Sequence, residues 1–115
     1  MSDVTIYHNP RCSKSRQTLE LLRENEVEPD IVEYLTAPPS RTELVRILGL
    51  LGIEAKDLMR TKEKVFAELG LSTGDDSDTL INAMVANPIL IERPIVVKGD
   101  HAAIGRPPEG VLAIL

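Results

Sequence analysis

Val4-Thr5-Ile6-Tyr7 is a run of β-branched and aromatic residues that predicts a short buried strand, and Asn9-Pro10 breaks it. From Ser13 onward good helix formers follow, with Leu19 and Leu22 on one face. A helix is predicted over about 13–25, ended by Asn25 in the left-handed conformation. Ile31 to Tyr34 reads as a second strand, stopped by Thr36-Ala37-Pro38-Pro39. Ser40-Arg41-Thr42-Glu43 has the form of a capping box, and Leu44, Ile47, Leu48 and Leu51 repeat at helical spacing up to Gly49 or Gly52. Shorter helical pieces are predicted over 56–59 and 62–69, the second closed by Gly70. Ser72 to Asp78 is a polar, acidic loop, and Leu80, Ile81, Met84 and Val85 mark a helix that Asn87-Pro88 terminates. Pro94 to Ile104 reads as strand, turn and strand. Pro107-Pro108-Glu109 opens a last helix, with Val111, Leu112 and Leu115 as its buried stripe.

At 115 residues, 43% of them hydrophobic and 27% charged, the chain is expected to form one globular domain with a core of its own. No run is long enough for a transmembrane helix, and the acidic opening Met1-Ser2-Asp3 predicts no signal peptide. The net charge of −5 argues against nucleic-acid binding. It also means that an anionic ligand must be attracted by a local cationic pocket. His8 and His101 stand far apart, and there is no C-x-x-C, Walker A or G-x-G-x-x-G sequence, so no metal and no bound nucleotide cofactor is expected.

The one cysteine, Cys12, falls where the first strand gives way to the first helix. A thiol there faces the unpaired N–H groups of the first helical turn, and His8, Arg11, Lys14 and Arg16 add to the positive field. That environment favours a reactive thiolate, which survives best in a reducing cytosol. The alternative is a small buried hydrophobe.

The order β-α-β, a helical insert over about 40–88, then β-β-α, makes an α/β chain that resembles the thioredoxin-like plan. That plan starts its first helix at the reactive cysteine. It also sets a proline, usually cis, before the third strand and facing the cysteine, and Pro94 stands in that place. Arg60, Arg93 and Arg106 fall at the ends of elements, where they are either capping charges or a cationic ring suited to a tetrahedral oxyanion. The C-x5-R loop of cysteine phosphatases is excluded, because Thr18 holds its arginine position. Ser15 replaces the second cysteine of a dithiol oxidoreductase, so electrons must come from an outside thiol.

Three segments together resemble the glutaredoxin-coupled arsenate reductase family over about 4–115. They are Tyr7-His8-Asn9-Pro10-x-Cys12-x-x-Ser15-Arg16, Asn87-Pro88-Ile89-Leu90-Ile91-x-Arg93-Pro94-Ile95-Val96-Val97, and Arg106-Pro107 with the closing helix. The resemblance implies that Cys12 attacks arsenate, that glutathione reduces the adduct, and that glutaredoxin resolves the mixed disulfide as arsenite leaves. It implies further that Arg60, Arg93 and Arg106 hold the oxyanion and that His8 modulates the cysteine. It gives Ser15, Arg16 and Pro94 supporting parts. The stretch Arg11-Cys12-Ser13-Lys14 replaces small uncharged neighbours and looks closer to a housekeeping subgroup. Two alternatives stay open on that account: a glutathione-dependent thiol-disulfide oxidoreductase, and a thioredoxin-fold regulator that binds RNA polymerase.

Overall fold

The computed structural model describes residues 3–115, and the reading of the Met1-Ser2 opening lies outside them. In chain order the elements are β1 (Val4–His8), α1 (Ser13–Glu24), β2 (Asp30–Glu33), α2 (Arg41–Leu51), α3 (Ala55–Leu58), α4 (Lys64–Glu68) and α5 (Ser77–Ala86). A 3-10 turn (Pro88–Leu90), β3 (Ile95–Lys98), β4 (His101–Ile104) and a closing 3-10 helix (Pro108–Ile114) complete the chain. The chain divides into two compact units: residues up to Ala37 with Arg93–Leu115, and Pro38–Glu92.

The first unit carries one sheet in the order β2-β1-β3-β4. β1 runs parallel to β2, with Ile6 opposite Ile31, and antiparallel to β3, with Ile6 opposite Val96. β3 and β4 form the expected hairpin, with Gly99 at φ 56° in its turn. Residues alternate in burial along β1, so Val4, Ile6 and His8 share its covered face. Val4, Ile6, Leu22, Val96 and Val111 form the core, and Leu19, Val27, Ala103 and Ile114 pack against it. β2 is an edge strand, which leaves Ile31 42% exposed.

In the second unit the α2 stripe Leu44, Ile47 and Leu48 and the α5 stripe Leu80, Ile81 and Met84 are buried. α5 packs against both α2 and α3. Ser40 Oγ accepts the Glu43 N–H at 3.1 Å and so caps α2, while Gly52, at φ 68°, ends it.

Two expectations are corrected. Asn25 stays at φ −95°, its Nδ2 donating to the Leu21 carbonyl, and the left-handed residue is Glu26 at φ 64°. Val27 N–H reaches Leu22 O and Glu26 N–H reaches Arg23 O, so α1 ends in a Schellman motif displaced by one position. The closing helix is 3-10, not α. Of the expected stripe, Val111 lies in the core and Leu115 packs against it beside Ile114, while Leu112 points outward at 41% exposure. Among the described residues no helix is long and apolar enough to cross a membrane.

Candidate active site

Cys12 is the N-cap residue of α1, in extended conformation (φ −93°, ψ 123°), and its side chain makes no capping hydrogen bond. The loop that delivers it is closed by its own polar groups. Cys12 N–H donates to Asn9 O, Arg11 N–H to Asn9 Oδ1, and Arg16 Nη1 to Pro10 O, each at 3.0 Å. The guanidinium of Arg16 thus acts as a strut for the loop. Cys12 is half-buried at the N-terminus of α1, whose first-turn amides have no acceptor within the helix.

Arg106 follows β4 and turns back over this cysteine. Its Nη2 lies 3.6 Å from Cys12 Sγ, and its Nε donates to the Arg93 carbonyl at 2.8 Å. The peptide Arg93–Pro94 is cis, as the thioredoxin-like plan implied, and Arg106–Pro107 is cis as well, which nothing in the sequence reading anticipated. The two loops are joined a second time by Gly105 N–H to Pro94 O at 2.9 Å. Gly105 is pressed into place. A Cβ there would overlap Thr18 Oγ1 and come within 2.8 Å of Pro94 Cγ. Thr18 is itself buried on α1, with its hydroxyl donating to Lys14 O at 2.8 Å. Gly105 and Thr18 were absent from the predicted site. Glycine directly before the Arg106-Pro107 step was the signal that could have marked the close approach.

His8 ends β1 on the face shared with Val4 and Ile6, and only 6% of it is exposed. Its Nδ1 lies 2.6 Å from Ser15 Oγ, which also accepts the Asn9 N–H at 3.0 Å. Burial pushes the His8 imidazole below its ordinary value; Arg23 and Arg16 push the same way, and Glu33 opposes them. His8 also lines a cleft of about 410 Å³ with Pro10, Arg16, Leu19, Glu20 and Arg23.

Cys12, Arg106, the Arg93-Pro94 step, His8, Ser15 and Arg16 all belong to the sheet-bearing unit. Within it, direct contacts join Cys12 to Arg106 and Arg106 to the Arg93 backbone. The Nε and Nη1 atoms of Arg93 are shielded from solvent. Arg60 belongs to the other unit, two residues past the end of α3. Its backbone N–H donates to Leu90 O at 2.8 Å, beside the Met59–Ile91 bridge. Its guanidinium pairs with Glu63 at 2.6 Å and more loosely with Glu92 at 3.8 Å.

Residues 7–114 match the ArsC family. The chain belongs to the ArsC family. It is 47% identical over 116 residues to the arsenate reductase of Escherichia coli K12, an alignment that spans all of this chain and 82% of that protein. It is 55% identical over 114 residues to uncharacterized protein YfgD of the same organism, across 97% of this chain and 96% of YfgD. Among solved structures, the arsenate reductase from Vibrio cholerae superposes with a TM-score of 0.94 at 49% identity, covering 97% of each chain. The thioredoxin-like α/β fold expected from the element order is therefore the fold of its ArsC-family relatives.

Proposed function

We propose that this ArsC-family protein is an enzyme that reduces arsenate to arsenite, with Cys12 as nucleophile and glutathione, renewed through glutaredoxin, as electron donor. The observation that carries the reading is the 3.6 Å approach of Arg106 Nη2 to Cys12 Sγ at the start of α1. A thiolate and an oxyanion repel each other unless cationic donors sit between or beside them. A guanidinium fork and a helix N-terminus supply such donors, in a chain whose net charge of −5 would otherwise repel an anion. Similarity to arsenate reductases over the whole chain supports the choice of anion.

In this scheme the Cys12 thiolate attacks arsenic, an S–As bond forms, and one arsenate oxygen takes up two protons and leaves as water. Arsenic is still pentavalent at that stage. A glutathione thiolate next attacks the Cys12 sulfur, so that an S–S bond forms and the S–As bond breaks. Its electron pair stays on arsenic, which departs as trivalent arsenite. A glutaredoxin thiol then removes the glutathionyl group and returns Cys12 to its reduced form. Arg106 and Arg93 hold the oxyanion from the sheet-bearing unit. His8, Ser15, Arg16 and Pro94 keep the loops in place. The scheme needs no metal, no nucleic acid and no membrane, and it suits the reducing cytosol.

Arsenate-dependent NADPH consumption, coupled through glutaredoxin and glutathione reductase, tests the proposal. Turnover by the wild type and none by Cys12→Ser is the expected result. Wild type that ignores arsenate but clears glutathione mixed disulfides would replace this reading with the thiol-disulfide oxidoreductase.

A further inference from the structure

Ser15 lies on α1 with no exposed surface, on the inward stripe shared with Thr18 and Leu22. A serine hydroxyl has one proton to donate and two lone pairs to accept with. The Asn9 N–H, at 3.0 Å, occupies one lone pair. The remaining partner is His8 Nδ1 at 2.6 Å. If Nδ1 carried a proton and donated it, the hydroxyl would accept twice and its own proton would be left without an acceptor, in a place closed to water. If the hydroxyl donates to Nδ1, both the hydroxyl proton and the Nδ1 lone pair are satisfied. An unsatisfied buried hydroxyl weights the choice by roughly five- to a hundred-fold.

We propose that Ser15 is a positioning residue that fixes His8 as the neutral Nε2–H tautomer, so that His8 is held to the Cys12 loop as the acceptor of the Ser15 hydroxyl and is not the base that takes the thiol proton. With Nδ1 occupied by the Ser15 hydroxyl and Nε2 already protonated, the ring has no free acceptor. Charging His8 would place a proton on Nδ1 and turn the Ser15 hydroxyl away from it. The surroundings act in the same sense. Arg16 and Arg23 of α1 disfavour the cation, the Glu33 carboxylate of β2 favours it, and Glu20 of α1 stands in the same cleft. Burial of the ring outweighs the acidic influence. The Asn9 N–H makes Ser15 a fixed part of the Cys12 loop, because Asn9 also holds Arg11 and Cys12. The inference deepens the arsenate reading and rests on it only for the identity of the reacting thiol.

Nitrogen-15 NMR of the imidazole in the full-length protein reads which ring nitrogen carries the proton and needs no arsenate. Failure here is therefore separable from failure of the arsenate assay. In the wild type Nε2 should be protonated and Nδ1 should be an acceptor above the His8 titration. A proton on Nδ1, or an average of the two tautomers, overturns the proposal. In Ser15→Ala the tautomers should interconvert, with the bias reduced by roughly five-fold or more, and the His8 titration should move upward. An unchanged tautomer and titration in that variant overturn the role of Ser15. Should Ser15→Ala fail to fold, the wild-type spectrum still decides the tautomer. Ser15→Thr, which keeps the hydroxyl, must then reproduce that spectrum.

Discussion

Arg106 reaches Cys12 across 94 positions of sequence and stops 3.6 Å from its sulfur, with Nη2 as the approaching atom. The same guanidinium is anchored by Nε to the Arg93 carbonyl, so its aim is set by backbone and does not depend on the ligand. Arg106→Ala should lower kcat/KM for arsenate by about ten- to a hundred-fold, the worth of one charge-assisted hydrogen bond kept in the transition state. Arg106→Lys should rescue poorly, because a single ammonium cannot hold the Arg93 carbonyl and face the sulfur together. Arg41, whose partners Asp78 and Asn82 are exposed on the other unit, supplies the control: Arg41→Ala should leave turnover close to wild type. Steady-state kinetics of the three variants measure this.

Gly105 sets the same geometry from behind. A methyl group at this position collides with Thr18 and Pro94, so Gly105→Ala should destabilise by about 1–3 kcal/mol, the usual cost of overpacking. Gly49, on the exposed face of α2, has no neighbour within 4 Å of an added Cβ. Gly49→Ala should stabilise by about 0.5–1 kcal/mol through helix propensity alone. Urea unfolding of both variants should give opposite signs.

His8 makes stability depend on pH. Its folded-state value is depressed below the ordinary 6.5, chiefly by burial, so the unfolded chain binds a proton more readily. The His8 contribution is therefore fully present above pH 6.5 and is lost as pH falls from there through the lowered folded value. Thermal unfolding of wild type and His8→Gln across that range should show a steeper acid loss in the wild type.

Much of this was legible in local pattern. The strand-to-helix placement of Cys12, the stripes of α2 and α5, and a proline before β3 all come from spacing and breakers that act over a few residues. What escaped were consequences of packing between distant segments. Thr18 reads as an ordinary helix residue until Gly105 is laid against it, and Arg106, though singled out for the oxyanion, gave no sign that the Arg93 carbonyl would anchor its Nε. The closing segment shows the same limit. An apolar pattern at 111, 112 and 115 suits an α-helix; Val111 and Leu115 do meet the core, but the segment winds as a 3-10 helix and Leu112 is turned outward. Arg60 carried no local sign that Glu63 and Glu92 would claim its guanidinium.

Ser40 tests an element remote from the Cys12 loop in sequence. Its hydroxyl caps α2 by accepting from Glu43 N–H, so Ser40→Ala should cost about 1 kcal/mol in chemical denaturation. Turnover measured well below the unfolding transition should stay near that of the wild type.

The central claim is that Cys12 bonds to arsenic and is then taken over by glutathione. Intact-protein mass spectrometry after incubation with arsenate and glutathione, with glutaredoxin withheld, tests it most directly. The account predicts one glutathionyl group on Cys12, formed only when arsenate is present and absent from Cys12→Ser. An adduct that forms equally fast without arsenate, or arsenite released with no adduct at Cys12, would contradict it.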